Sequence, residues 1–155
     1  MRALGIMAYN LVLALWVGGM TLFTFLVTPV LFRGYGRDTA GEIVGRLMPH
    51  YFRYNLVLIL AAVAVLAAFW WAWAPVARRL SLLLLLIAVG VQGYVSFRLY
   101  PRIVAVKAQV ASFEADPQAP ARRQFRTMHG LSMALNLFGL ADGVALLALR
   151  SLLSK

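Results

Sequence analysis

Four long stretches of the chain carry almost no charge, and nearly all of its 15 Lys and Arg residues fall in the gaps between them. The stretches are residues 3–32, 54–77, 80–97 running on to 100, and 127–149. Each reaches or approaches the roughly 20 apolar residues that cross about 30 Å of hydrocarbon. In hydrocarbon every backbone amide must be paired within its own segment or within a closed barrel, and these runs lack the alternation of barrel strands. The expected fold is therefore all-α, an integral membrane four-helix bundle forming one domain over residues 1–155.

Composition agrees with this solvent. A hydrophobic share of 63% and a mean hydropathy of +0.81 exceed what an ordinary soluble domain carries. A net charge of +10 could suggest nucleic acid in a soluble chain. Here the basic residues flank apolar spans, where they meet anionic headgroups, and nucleic-acid binding is not expected. The lack of Cys excludes disulfides, thiolate metal sites and thiol catalysis. The first apolar run is far longer than a signal-peptide core, so it is expected to be retained. Arg supplies 13 of the 15 basic residues in a chain rich in Ala and Leu, which suggests a bacterial inner membrane. Ten basic residues lie on the side of the two long connections and five on the side of the termini, which favours cytoplasmic long loops and periplasmic termini.

Between the first two spans, Thr39 and Glu42 have capping-box spacing, and Ala40, Ile43, Val44, Leu47 and Met48 recur at helical intervals. They predict a short interfacial helix over 39–48, with a bend at Pro49 leading into the second span at His50 and Tyr51. After the third span, Tyr100-Pro101-Arg102 predicts a kink and a helical extension over Ile103–Phe113. The run Asp116-Pro117-Gln118-Ala119-Pro120 predicts a turn, with Pro120 in the first turn of the last helix. Trp70, Trp71 and Trp73 are expected at headgroup level at the end of the second span. No repeat of about 20–50 residues is visible.

Candidate chemistry rests on few residues. In the fourth span His129, Ser132, Met133 and Asn136 share one helical face, which either makes interhelical hydrogen bonds or forms a binding site with His129 as ligand or proton carrier. Gln92 and Ser96, four apart in the third span, are placed to meet Asn136 across the bundle. His50 and His129 each sit beside a methionine, Met48 and Met128, a donor set suited to Cu(I); the two imidazoles could also ligate haem. Asp142 lies about 20 Å along the helix from His129 and belongs to the other end of the membrane. It is either a proton or cation site, or a structural group partnered by Asn10, Arg78, Arg79 or Arg150. Gly90, Gly93 and the Ala14/Gly18 pair are small residues at which helices can approach closely. No catalytic triad, phosphate loop, paired carboxylates or metalloprotease motif is present, so no enzymatic activity is expected.

Several local patterns then converge: Trp16-Val17-Gly18-Gly19, Pro29-Val30-Leu31-Phe32, Gly45-Arg46-Leu47-Met48-Pro49-His50-Tyr51-Phe52, Tyr100-Pro101-Arg102-Ile103, and His129 with Ser132 and Asn136. Together they resemble the TMEM205-like family, also described as the DUF4149 domain. The Trp-x-Gly-Gly segment is more distantly similar to the CopD-type copper-resistance membrane domain. The resemblance implies a small four-helix membrane protein without an established molecular activity, in a family with members linked to resistance to metal-containing drugs. It directs attention to the long-loop end and to Pro29, Phe32, Pro49, Tyr51, Pro101, His129, Ser132 and Asn136. His50 is not part of that pattern. The expected role is a binding or transport-associated membrane module with a polar pocket near His129. The alternatives are an accessory subunit of a larger membrane complex, or a copper- or haem-binding protein. A homo-oligomer or partner chains would be required for a complete transport path.

Overall fold

The computed structural model describes residues 1–110, 112 and 119–152, and no strand occurs among them. The first span is α1 (Arg2–Leu22), a π-helical turn (Phe23–Val27) and α2 (Thr28–Gly34) in one unbroken rod. The second is α3 (Arg37–Ala68); a 3-10 turn (Trp70–Ala72) follows it. The third is α4 (Pro75–Tyr94), a second π turn (Val95–Leu99) and α5 (Tyr100–Lys107), and the fourth is α6 (Pro120–Leu152). Four candidate crossing helices of 30 to 33 residues result. At 1.5 Å per residue they measure about 45–50 Å, longer than the hydrocarbon, so their ends project into the headgroup layers.

The helices pack in a ring, α1 against α3, α3 against α4, α4 against α6 and α6 against α1, which leaves α1 diagonal to α4 and α3 diagonal to α6. That arrangement has a counterpart in the sequence at a spacing longer than the repeat lengths considered above. Gly5, Tyr9, Leu13 and Trp16 are buried in α1, and Ala77, Ser81, Leu85 and Ala88, each 72 positions later, are buried in α4. The same 72-residue offset relates the two π turns, Thr24 to Ser96, the exposed Phe25 to Phe97, and Pro29 to Pro101. In α3 and α6 the offset is 80: Arg46 and Arg126, Met48 and Met128, and the buried Leu66 and Leu146. The chain is two parallel two-helix halves, the second with a longer connection.

The π turns have a local cause. A proline cannot donate to the carbonyl four residues back, and its ring crowds that carbonyl. A widened turn immediately before Pro29 and Pro101 relieves the crowding in both halves. At Pro49 the solution differs. The predicted separate helix over 39–48 is instead the first part of α3, which continues through Pro49 without a break. The carbonyl that Pro49 leaves without its amide is that of Gly45, and the Tyr100 hydroxyl donates to it at 2.9 Å. Lys107 Nζ donates to the Gly41 carbonyl at 2.7 Å, one turn earlier. The extension of the third span thus clamps the N-terminal third of α3 and keeps it helical.

Other expectations are corrected. The capping box does not form: α3 begins at Arg37, two residues before Thr39, and Glu42 pairs with Arg46 at 2.5 Å on the exposed surface. The second span ends at Ala68 and the third starts at Pro75, both earlier than hydropathy suggested. Trp70 and Trp71 are exposed, whereas Trp73 is 4% exposed and meets Tyr9 edge-on at 4.7 Å, so it belongs to the core. α5 ends at Lys107, and Ala108, Gln109, Val110 and Ser112 are turn or irregular, so the expected helix does not run on through them; Ala111, Phe113 and the Asp116–Gln118 part of the turn lie outside the described residues. Pro120 opens α6 as predicted. A Cβ at Gly18, Gly90 or Gly93 would meet nothing within 4 Å, so these glycines are not the points of close approach. Those are Gly5 against Phe69, Gly19 against the Tyr54 ring, and Gly143 against Val17 and Trp16.

Candidate functional site

Inside the ring, polar side chains from all four spans gather about two turns below His129. Tyr51 lies on the inner face of α3, its ring stacked on Phe23 with centroids 4.3 Å apart. Its hydroxyl donates to Asn136 Oδ1 at 2.6 Å, and Asn136 Nδ2 donates to Thr24 Oγ1 at 2.9 Å. One chain of hydrogen bonds therefore ties α3, α6 and the first π turn together. From α4, Gln92 Nε2 donates to the Phe52 carbonyl at 3.3 Å and to Ser96 Oγ at 3.2 Å. Gln92 and Asn136 do not bond directly. They face each other across a cavity of about 10 Å³, also lined by Trp16, Met20, Ile59, Ala88 and Gly139. That volume is about what one water occupies.

Equivalent positions of the two halves face this cavity: Trp16 and Ala88, Met20 and Gln92, Ile59 and Gly139. The cavity therefore lies between the repeats. Its surroundings are under-satisfied, because Trp16 Nε1 is buried without a hydrogen-bond partner among the described residues. Asn55 is 0% exposed, one turn beyond Tyr51.

The predicted site residues divide into two groups. Tyr51, Asn136, Gln92 and Ser96 come together as described. Ser132 is half-buried on the same stripe of α6 without a hydrogen bond to the cluster, and Pro49 and Pro101 act through the backbone at its edge. His129 is on the outer part of the bundle, exposed and stacked on Phe125 at 5.4 Å, and His50 is exposed on α3. Neither imidazole enters the buried cluster, so the polar pocket is centred on Asn136 rather than on His129. Met48 and Met128 are half-buried against the core. Among the described residues no group of three or more His, Cys, Asp or Glu is arranged to hold a metal. Asp142 is 5% exposed, and its Oδ2 has no hydrogen-bond partner among the described residues, so the partners expected in Asn10 and Arg78 are not engaged. Arg78 instead turns to Trp70, donating to its carbonyl at 3.5 Å with the guanidinium 4.4 Å from the ring centroid.

Thr24, Asn55, Trp16 and Tyr100 were not singled out from the sequence as site residues. A signal existed for Thr24, whose place in the first half is that of Ser96 in the second.

Fold and site together define a small integral membrane protein built as a four-helix bundle with a polar centre. A family model described as a domain of unknown function, DUF4149, matches residues 11–112, about two thirds of the chain, and the protein belongs to that family. The match begins within α1, runs through the second and third spans and stops before α6, so His129, Asn136 and Asp142 lie beyond it. No curated protein and no solved structure matches the chain.

Proposed function

We propose that the protein is a binding module of the membrane, associated with transport, whose site is the polar centre between its two halves. The observation that supports this reading is the cavity faced by equivalent positions of both repeats and flanked by the Tyr51–Asn136–Thr24 chain. In transporters built from repeats, substrate and ion sites lie near the midplane at the repeat interface. A cavity of about 10 Å³ restricts the occupant to something the size of water or a small ion. Polar side chains buried in a membrane span are costly, and their assembly from four spans at one depth favours a functional role over helix glue alone.

The finer placement belongs to the same proposal: a bacterial inner membrane, with the ten basic residues of the long-loop side in the cytoplasm among anionic headgroups. The likeness to TMEM205-like proteins, and the more distant one to CopD-type domains, fits a role in handling small species at the membrane. An accessory subunit is the second reading. It is favoured by the open space outside Gly18, Gly90 and Gly93, where another chain or a second copy could pack.

Native mass spectrometry with elemental analysis, on protein extracted in native-membrane nanodiscs, separates the two. The binding reading expects a small species retained by the wild type and lost in Asn136→Leu. A wild type that carries nothing, is unaffected by that change and co-purifies stoichiometrically with other chains would replace it with the accessory reading.

A further inference from the structure

The polar centre does not end at Asn136. Six residues further along α6, or about 9 Å along the axis, Asp142 is buried in the terminal half of the bundle with Oδ2 unpartnered among the described residues. Its counterpart in the first half is Ala62, 0% exposed, so a methyl group suffices for packing at that register and the carboxyl is not required to fill space. A carboxyl inside a membrane span without a cation or hydrogen-bond donor is a functional group by default.

The charged and titratable groups on the elements packed against this half of α6 are Arg2 and Tyr9 on α1, and Arg78 and Arg79 on α4. Arg78 is committed to Trp70, and Asp142 makes no ion pair among the described residues. At the far end, α5 contributes Arg102 and Lys107, the latter bonded to Gly41.

Trp16, whose Nε1 is buried without a hydrogen-bond partner among the described residues, packs its ring against Gly143, the neighbour of Asp142, and also lines the cavity. The same water-sized cavity is lined by Gly139, which precedes Asp142 by one turn, or about 4.5 Å along the axis. Buried polar groups of this kind are satisfied by internal water, and a polar cavity of one-water size is where such water resides.

We propose that Asp142 is a proton-binding site, supplied by buried waters through the cavity between Trp16, Gln92 and Asn136. A hydronium that reaches the Asp142 carboxylate from the cavity by way of buried water gives up one proton, so one hydronium O–H bond breaks, one carboxyl O–H bond forms and a water is left; release is the reverse. This rests on the binding reading above and names the proton as the species the centre handles.

The test is difference infrared spectroscopy of the full-length protein in lipid vesicles, with isotope-labelled aspartate, as pH is stepped and as water is exchanged for D2O. Expected is a carboxylic C=O band that shifts with the label, titrates, and is absent in D142N. Its hydrogen exchange slows by about tenfold or more in Q92L, the factor that loss of one hydrogen-bonding partner represents. If D142N does not fold, the label-sensitive band of the wild type and its exchange in Q92L remain decisive. Absence of any titrating aspartic acid band, or exchange in Q92L as fast as in the wild type, overturns the proposal. Failure here with a bound species still lost in Asn136→Leu leaves the binding reading standing; an intact Asp142 band in a protein that retains nothing else does the reverse.

Discussion

If the Tyr100 hydroxyl substitutes for the amide that Pro49 lacks, its value must depend on the proline. In Tyr100→Phe the Gly45 carbonyl loses its 2.9 Å donor and is left without a partner on a half-buried part of α3. An acceptor stranded in that way costs about 1–3 kcal/mol. The ring contact with Phe52, at 5.2 Å between centroids, is kept by phenylalanine, so the change isolates the hydroxyl. Pro49→Ala restores an amide in reach of the same carbonyl and removes the ring that crowds it. In the Pro49→Ala background Tyr100→Phe should therefore cost at least about 1 kcal/mol less than in the wild type, a coupling of the size expected between residues sharing one hydrogen bond. The four variants of the cycle can be unfolded in mixed micelles of mild detergent and dodecyl sulfate, with tryptophan fluorescence as the readout. Equal cost of Tyr100→Phe in both backgrounds would refute the compensation and leave the continuity of α3 through Pro49 without its present explanation.

Two further outcomes follow from packing and from the π turns. Gly19→Ala and Gly143→Ala place a Cβ 2.4 Å from the Tyr54 ring and 2.7 Å from Val17 Cγ2 and should each cost about 1–3 kcal/mol, whereas Gly18→Ala and Gly90→Ala, which meet open space, should be neutral or stabilising by up to about 1 kcal/mol in detergent melts. A π turn is an α-helix with one residue too many, so deleting the exposed Phe25 should convert Phe23–Val27 to regular helix with neighbouring faces preserved. Deleting the equally exposed Leu11 from α1 instead rotates everything beyond it by about 100° and should abolish the folded, monodisperse species on size exclusion.

Hydropathy was sufficient for the number of spans and for the first of them because the bilayer imposes helix on any long apolar run. It misplaced the second connection, since Trp70, Trp71 and Trp73 are as apolar as a span, and only the tertiary contact of Trp73 with Tyr9 draws the chain back into the core there. Pro49 was read as a helix end for a sound local reason, which a hydroxyl 51 positions further on overrides. Of the buried polar cluster, Asn136, Tyr51, Gln92 and Ser96 are legible because polar side chains in spans avoid lipid. His129 drew too much weight as a versatile residue type: its depth places it at the rim, and no local pattern reveals on which side of the helix the bundle closes. Glycine spacing failed for the same reason, since Ala14/Gly18 has the interval of a packing motif, yet it faces outward, as do Gly90 and Gly93.

The repeat explains why the polar centre is where it is. A twofold relation brings equivalent side chains toward each other at the middle of the bundle, so identical large residues would collide there and identical small ones would leave a void. Trp16 opposite Ala88 resolves this by size, one filling what the other leaves. Met20 opposite Gln92 breaks the relation in polarity, and so does Ala62 with Asp142 at the corresponding register of the other pair of helices. In these two the polar member is in the second half, whereas the buried Asn55 stands in the first half against Leu135 in the second. The shared register therefore supplies the scaffold, with its π turns, prolines and buried stripe common to both halves. The positions at which the halves differ in polarity within the buried stripe supply the polar groups of the proposed site, and those positions, unlike the direction in which any single helix faces, can be read directly from two aligned segments of one chain.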